Sequence, residues 1–177
     1  MSAVDLDPSD EENNFSKAQN ANSFFMFYRF RYESEFYPTL SRVPLHVRMK
    51  LDLTGIKISL RDWLSFSFEE RTALCHLPVE ANEEQQAFVN YLDFLSRKYR
   101  AAPVTMTEAM RKALWDDPNE ISEPVAEKSR ERGRSVTSQE WACWKSHQRY
   151  ALYKTAVSKS DPEQFFAVLA EIREQDS

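Results

Sequence analysis

Two cysteines and three histidines are the residues of this 177-residue chain best suited to metal or nucleophilic chemistry. Cys143 and His147 stand four apart, so a single helix face could hold both as ligands of one metal ion. No third ligand is signposted beside them. Cys75 and His76 are adjacent; on a helix their side chains diverge by about 100°, a poor geometry for a nucleophile and its base. His46 stands alone. No pair of carboxylates combines an apolar setting with a spacing that would divide acid and base roles. Glycine narrows the field further. Average usage near 7% would give about twelve, whereas the chain has two, Gly55 and Gly133. A P-loop, a dinucleotide-binding fingerprint or a kinase glycine loop needs at least two glycines within about six positions, so all three are excluded. Two cysteines without a CxxC pair cannot build a four-thiolate zinc site or a multi-disulfide framework. The chain therefore reads as a protein without catalytic residues, metal or cofactor.

The composition is globular, with 42% hydrophobic and 29% charged residues. No apolar run approaches the roughly 18 residues needed to span a bilayer, and the acidic N-terminus fits neither a secretory signal nor a transit peptide. The expectation is a soluble cytoplasmic protein with reduced thiols. Of the net charge of −5, residues 1–23 carry −4: Asp5, Asp7, Asp10, Glu11 and Glu12 against Lys17. Poor in large apolar groups, residues 1–23 read as a disordered acidic tail, either a solubilising leader or a device that tunes a partner. Residues 24–177 read as a single domain.

The elements expected in that domain are mainly helical. Residues 24–33 are the exception: the even positions Phe24, Met26, Tyr28, Phe30 and Tyr32 are all apolar while Arg29, Arg31 and Glu33 fall on odd ones, which predicts a β-strand or extended arm that pairs within the chain or across a homodimer. Short strand candidates elsewhere are 56–58 and 134–136. Pro44 opens a helix that stops at Gly55, a left-handed C-cap. Ser59 with Asp62, and Ser67 with Glu70, have capping-box spacing. Asn82 opens a helix with Phe88, Tyr91, Leu92 and Leu95 as its apolar stripe. Residues 101–121 read as a connector, with a short helix capped by Thr105 and pinned by Trp115. Helices resume at Pro124, stop at Gly133, and end with one opened by Asp161 and Pro162 whose apolar side holds Phe165, Phe166, Leu169 and Ile172.

Compared with itself at an offset of 78, the chain has ten identities between residues 47–88 and 125–166 without a gap. Chance would give about two or three. Both glycines match, as do Trp63 with Trp141, Lys50 with Lys128 and Arg71 with Arg149. So do two [ST]-x-x-[DE] boxes, each followed by Trp. The reading is two pseudo-repeated helical units, about 44–97 and 122–174, packed as one body that shares the faces of Trp63 and Trp141 as one core. Gly55, Gly133, Trp63, Trp141, Arg71 and Arg149 are its structural residues. Each arginine is expected to close onto Asp62 or Glu140 of its own unit; the alternative is contact with an acidic partner. Lys50 and Lys128 are expected to be solvated lysines with buried stems. The second unit is basic, +5 between residues 125 and 160, so a helix-turn-helix nucleic-acid-binding regulator is an alternative, though the near-neutral body makes nucleic acid the weaker reading. A basic face for an acidic protein, or for the chain's own tail, explains the same charge.

At residues 47–63 the chain reads VRMKLDLTGIKISLRDW, with Pro44 before it and FSFEER after it. Here it resembles the nitrate reductase-associated protein family, over about residues 27–172. The pattern VR-x-KLD-x-x-GIK-x-x-L-x-x-W is met by Val47, Arg48, Lys50, Leu51, Asp52, Gly55, Ile56, Lys57, Leu60 and Trp63. The resemblance implies an accessory, non-catalytic role in producing active assimilatory nitrate reductase, a molybdenum and iron–sulfur enzyme, by binding its apo or mature form. It directs attention to the Arg48, Lys50 and Lys57 surface and to Lys128, Arg130 and Arg134 of the basic unit as partner contacts. The chain departs from the pattern where relatives often read SLRCIP, with Thr39-Leu40-Ser41-Arg42-Val43-Pro44 in its place, and at Val79, where a cysteine is common; both departures argue against a cluster carrier.

Overall fold

The computed structural model describes residues 28–159 and 161–175; the acidic tail and residues 24–27 of the expected strand lie outside them. The described chain forms nine α-helices and one small antiparallel sheet. In chain order these are α1 (Leu45–Thr54), β1 (Ile56–Lys57), α2 (Leu60–Ser65), α3 (Phe68–His76), α4 (Asn82–Arg100), β2 (Thr105–Met106), α5 (Ala113–Asp116), α6 (Glu123–Arg130), α7 (Ser138–Cys143), α8 (Ser146–Val157) and α9 (Pro162–Gln175). No helix among the described residues is long and apolar enough to cross a membrane.

Residues 28–33 are not a strand. Tyr28 to Phe30 is irregular and Arg31–Glu33 is a 3-10 turn. The alternation nevertheless identified three inward residues, since Phe30 is buried and Tyr28 and Tyr32 pack against the same core, but Glu33, on the polar side of the pattern, is buried as well. What the pattern could not supply is a neighbouring strand. The backbone is satisfied by side chains instead, the Arg31 amide donating to Glu171 at 2.8 Å and Glu33 accepting the Leu45 amide at 2.8 Å. Residues 134–136 are likewise not a strand, because the Arg134 and Ser135 carbonyls accept from Arg173. Ile56 and Lys57 do form β1, paired with Met106 and Thr105 of β2. Thr105 is therefore a strand residue, not a helix cap, and the connector contributes half of the sheet.

Capping chemistry sets several helix starts and the end of α1. α1 stops at Gly55, in the left-handed region with φ 67°, where a Cβ would lie 2.6 Å from the Thr107 carbonyl oxygen. Gly133 has φ 62° but open space around it. Ser59 and Asp62, Ser67 and Glu70, and Thr137 and Glu140 all form reciprocal capping boxes. α4 differs by one residue: Asn82 is its first helical residue, and Glu84 accepts the Glu80 and Ala81 amides. α4 buries Phe88, Leu92 and Leu95.

The core is two clusters, which corrects the expectation of one core shared by the two tryptophans. Trp63 lies with Val47, Leu51, Leu74, Phe88 and Leu92. Trp141 lies with Trp115, Trp144, Tyr150, Phe165 and Leu169. α1 joins them, since Leu45 belongs to the second cluster, Val47 and Leu51 to the first, and Leu53 packs against both. The surroundings of the two tryptophans correspond closely. Each is fully buried, follows a capping box, and donates its indole N–H to a backbone carbonyl, Leu40 at 2.7 Å and Asp117 at 2.8 Å. Each is followed three residues later by a buried aromatic, Phe66 or Trp144, at the helix C-cap.

Candidate functional site

An open groove of about 470 Å³ runs beside α1 and β1. Its walls are apolar at Val43, Leu51, Ile56, Ile58 and Leu60, and it is lined by four cations, Arg42, Arg48, Lys57 and Lys154, against one carboxylate, Asp52. The placement follows from local structure. Arg48 and Asp52 are four apart on α1 and so share a face. β1 begins directly after the Gly55 turn and carries Lys57, the exposed residue of its pair. α8 packs on α1 and brings Lys154 across.

The polar network holds this edge in place. Arg48 Nε donates to the Val43 carbonyl at 3.0 Å. Asp52 accepts Lys154 Nζ at 2.6 Å and the Tyr150 hydroxyl at 2.7 Å, tying α1 to α8. Burial and then the Asp52 charge hold the Tyr150 hydroxyl well above its ordinary pKa, so it stays a donor. Arg42 and Lys57 form no ion pair among the described residues. An exposed, mostly unneutralised basic groove with an apolar wall suits a segment that carries both acidic and apolar side chains.

Of the expected contact residues, the structure brings Arg48 and Lys57 together in this groove. Lys50 is not on that surface. It is buried, and its ammonium donates to the carbonyls of Leu74 and Cys75, at 3.2 and 2.7 Å, and to that of Leu77. Those carbonyls include the last-turn acceptors of α3, which a cation at a helix C-terminus satisfies best. Burial lowers the Lys50 pKa to about 8. Lys128 pairs with Glu131 at 2.7 Å, Arg130 and Arg134 are exposed, and none of the three lines the groove.

Arg71 and Arg149 do not close onto Asp62 and Glu140. Those carboxylates pair instead with Arg100 and Arg173. Arg71 donates to the Leu40 carbonyl, the acceptor of Trp63. Arg149 is buried, donating to the Trp144 carbonyl and to Asp116, at 2.5 and 2.8 Å. Both arginines satisfy loop carbonyls beside a tryptophan, and tertiary packing, not helix spacing, chooses those acceptors.

Cys143 and His147 fail the premise of a shared helix, because α7 ends at Cys143 and α8 begins at Ser146. His147 packs against the Tyr28 ring, with centroids 4.9 Å apart. Cys75 is buried, and burial raises its thiol pKa to about 11. No group of three potential metal ligands occurs among the described residues. Sequence reasoning did not single out Lys154, Asp52 or Arg42 as a set. The Arg48–Asp52 spacing was visible, but the approach of α8 was not.

Glu33 is also buried, and its second carboxylate oxygen has no hydrogen-bond partner among the described residues. Burial, opposed by the Leu45 and Phe30 amides, raises its pKa to about 7. Nearby, Tyr37 and His46 Nδ1 lie 3.0 Å apart, and burial, then Lys50, lowers the His46 pKa to about 2.

Neither the curated proteins nor the solved structures compared with the chain contain a match. A family model, described as conserved nitrate reductase-associated protein, matches residues 29–172, which take in the groove, both capped tryptophans and α9 up to Ile172. The chain belongs to the conserved nitrate reductase-associated protein family.

Proposed function

We propose that this protein is a cytoplasmic accessory factor for assimilatory nitrate reductase that acts by binding the apo or mature enzyme, not by catalysis. Family membership supports the partner. The observation that carries the binding reading is the groove, where Arg42, Arg48, Lys57 and Lys154 stand around an apolar wall open to solvent. The pseudo-duplicated architecture belongs to the same proposal. It is supported by the ten identities and by helices α2 and α7, and the starts of α3 and α8, falling 78 residues apart.

The basic second unit gives little support to the nucleic-acid alternative. Arg132 pairs with Glu163, Lys128 with Glu131, Arg149 with Asp116 and Lys154 with Asp52, so half of its eight cations already have carboxylate partners.

The test is association of the purified chain with apo and mature nitrate reductase at low salt. The expected result is binding to at least one form that weakens about tenfold or more in an Arg48→Glu, Lys57→Glu variant, whose exposed positions leave the core intact. No association with either form at micromolar concentration discards direct docking.

A further inference from the structure

We propose that the acidic segment at residues 4–12 of this same chain docks in the basic groove. Val4, Asp5, Leu6 and Asp7 alternate apolar and acidic side chains, and Asp10, Glu11 and Glu12 follow after Pro8 and Ser9. In an extended conformation that alternation sends the two apolar side chains to one side and the two acids to the other. The groove has the matching construction. Leu51, Ile56, Ile58 and Leu60 offer the apolar wall, and the long side chains of Arg42, Arg48, Lys57 and Lys154 supply the rim.

The apolar wall also continues outward along α2, where Leu60 and Leu64, one turn apart, are 52% and 48% exposed. A small inorganic anion would leave that wall uncovered, and a purely acidic run would use only the rim. A segment with both kinds of side chain uses the whole surface. Charge complements charge, because the groove holds four cations and one carboxylate while residues 1–23 carry −4.

The connection is short enough. The described chain begins at Tyr28, whose hydroxyl contacts Glu171 on α9, and the same helix supplies Gln164 to the groove lining. Seven residues along α9 correspond to about 10 Å. The 15 residues between Glu12 and Tyr28 span about 50 Å when extended and about 20 Å as a flexible coil. A folded body of this size has a radius of gyration of about 15 Å. The segment reaches the groove without crossing the molecule.

Docked there, the segment covers Arg48 and Lys57, so a partner must displace it. That competition rests on the docking function proposed above, whereas the intramolecular contact stands on the groove and the segment alone. The experiment therefore uses no partner. The full chain carries Ser9→Cys with Cys143→Ser, a nitroxide label at position 9 and isotopic enrichment for amide spectra. Buried Cys75 stays unlabelled.

At about 50 mM salt the oxidised label is expected to reduce the amide intensities of Leu51, Ile56, Ile58 and Leu60 by about twofold or more relative to its reduced form. Intensity is expected to return at about 500 mM salt, where surface charges are screened, and in two variants. One is Arg48→Glu with Lys57→Glu; the other is Asp5→Asn with Asp7→Asn and Asp10→Asn, which leaves the folded body untouched. Full intensity at those amides, loss of equal size in the variants, or loss confined to another face overturns the proposal. So does equal broadening when a labelled chain is mixed with an unlabelled, enriched one, which places the segment on a second copy.

Discussion

Gly55 and Gly133 occupy matched positions with almost the same positive φ, 67° and 62°, yet their surroundings differ. The backbone requirement is common to both and costs a residue with a Cβ about 1 kcal/mol. Gly55 adds a collision with backbone, a Cβ 2.6 Å from the Thr107 oxygen and 3.1 Å from the Ala109 nitrogen, in the segment after β2 that the Thr107 amide holds in place by donating to the Gly55 carbonyl at 2.7 Å. Gly133→Ala is therefore expected to lower unfolding free energy by about 1 kcal/mol and Gly55→Ala by about 3 kcal/mol or more, read from urea denaturation of both variants. Equal losses would show that the Thr107 contact is soft. The sequence made both glycines conspicuous by their scarcity, but only the fold distinguishes them, because Thr107 approaches Gly55 from 52 residues away.

At the level of elements, helix starts were legible wherever the signal is local. Ser59, Ser67 and Thr137 each accept the amide three residues on, a contact that depends on neighbours alone. Removing either tryptophan-preceding cap, as Ser59→Ala or Thr137→Ala, is expected to cost about 1 kcal/mol. Helix ends were less legible. α3 ends on an ammonium delivered from α1, and nothing in residues 68–76 announces Lys50 as its partner. Lys50→Met is accordingly expected to cost about 2–4 kcal/mol, because several carbonyls lose a charged donor, while Lys128→Met, which loses one surface pair, changes stability by less than about 1 kcal/mol. Thermal or urea unfolding of the two variants side by side measures the contrast. The same dependence on distant neighbours explains residues 28–33. Their alternation identified a buried face, but a strand needs a ladder partner, and α9 offers a carboxylate instead.

For the whole molecule, the buried groups Glu33 and His46 and the partly buried His147 set how stability responds to pH. His46, lowered from 6.5 to about 2, and His147, lowered from 6.5 to about 4 by burial and then Lys145, favour folding above pH 6.5 and withdraw that support as pH falls. Glu33, raised from 4.5 to about 7, acts in the opposite sense: its contribution is complete below pH 4.5 and is lost as pH rises toward 7. Between pH 6.5 and 4.5 these groups give the unfolded chain two protons on histidines and the folded chain one on Glu33. Stability then falls by about 1.4 kcal/mol for each unit of acidification. Glu33→Gln removes the opposing group, so the slope is expected to steepen to about 2.7 kcal/mol per unit, measured as urea unfolding across that window. An unchanged slope would show that Glu33 is ionised in the folded state. The amino-acid sequence by itself determined the helical class, the capped tryptophan units, the two glycine turns and the family, because each is written in residues close together along the chain. The tertiary structure alone decided that the tryptophans stand in two cores joined by α1, that Lys50 is buried while Arg48 and Lys57 face a groove, and that Arg71 and Arg149 serve backbone carbonyls. Those outcomes depend on which distant acceptor or apolar surface packing brings within reach, and local spacing carries no record of it.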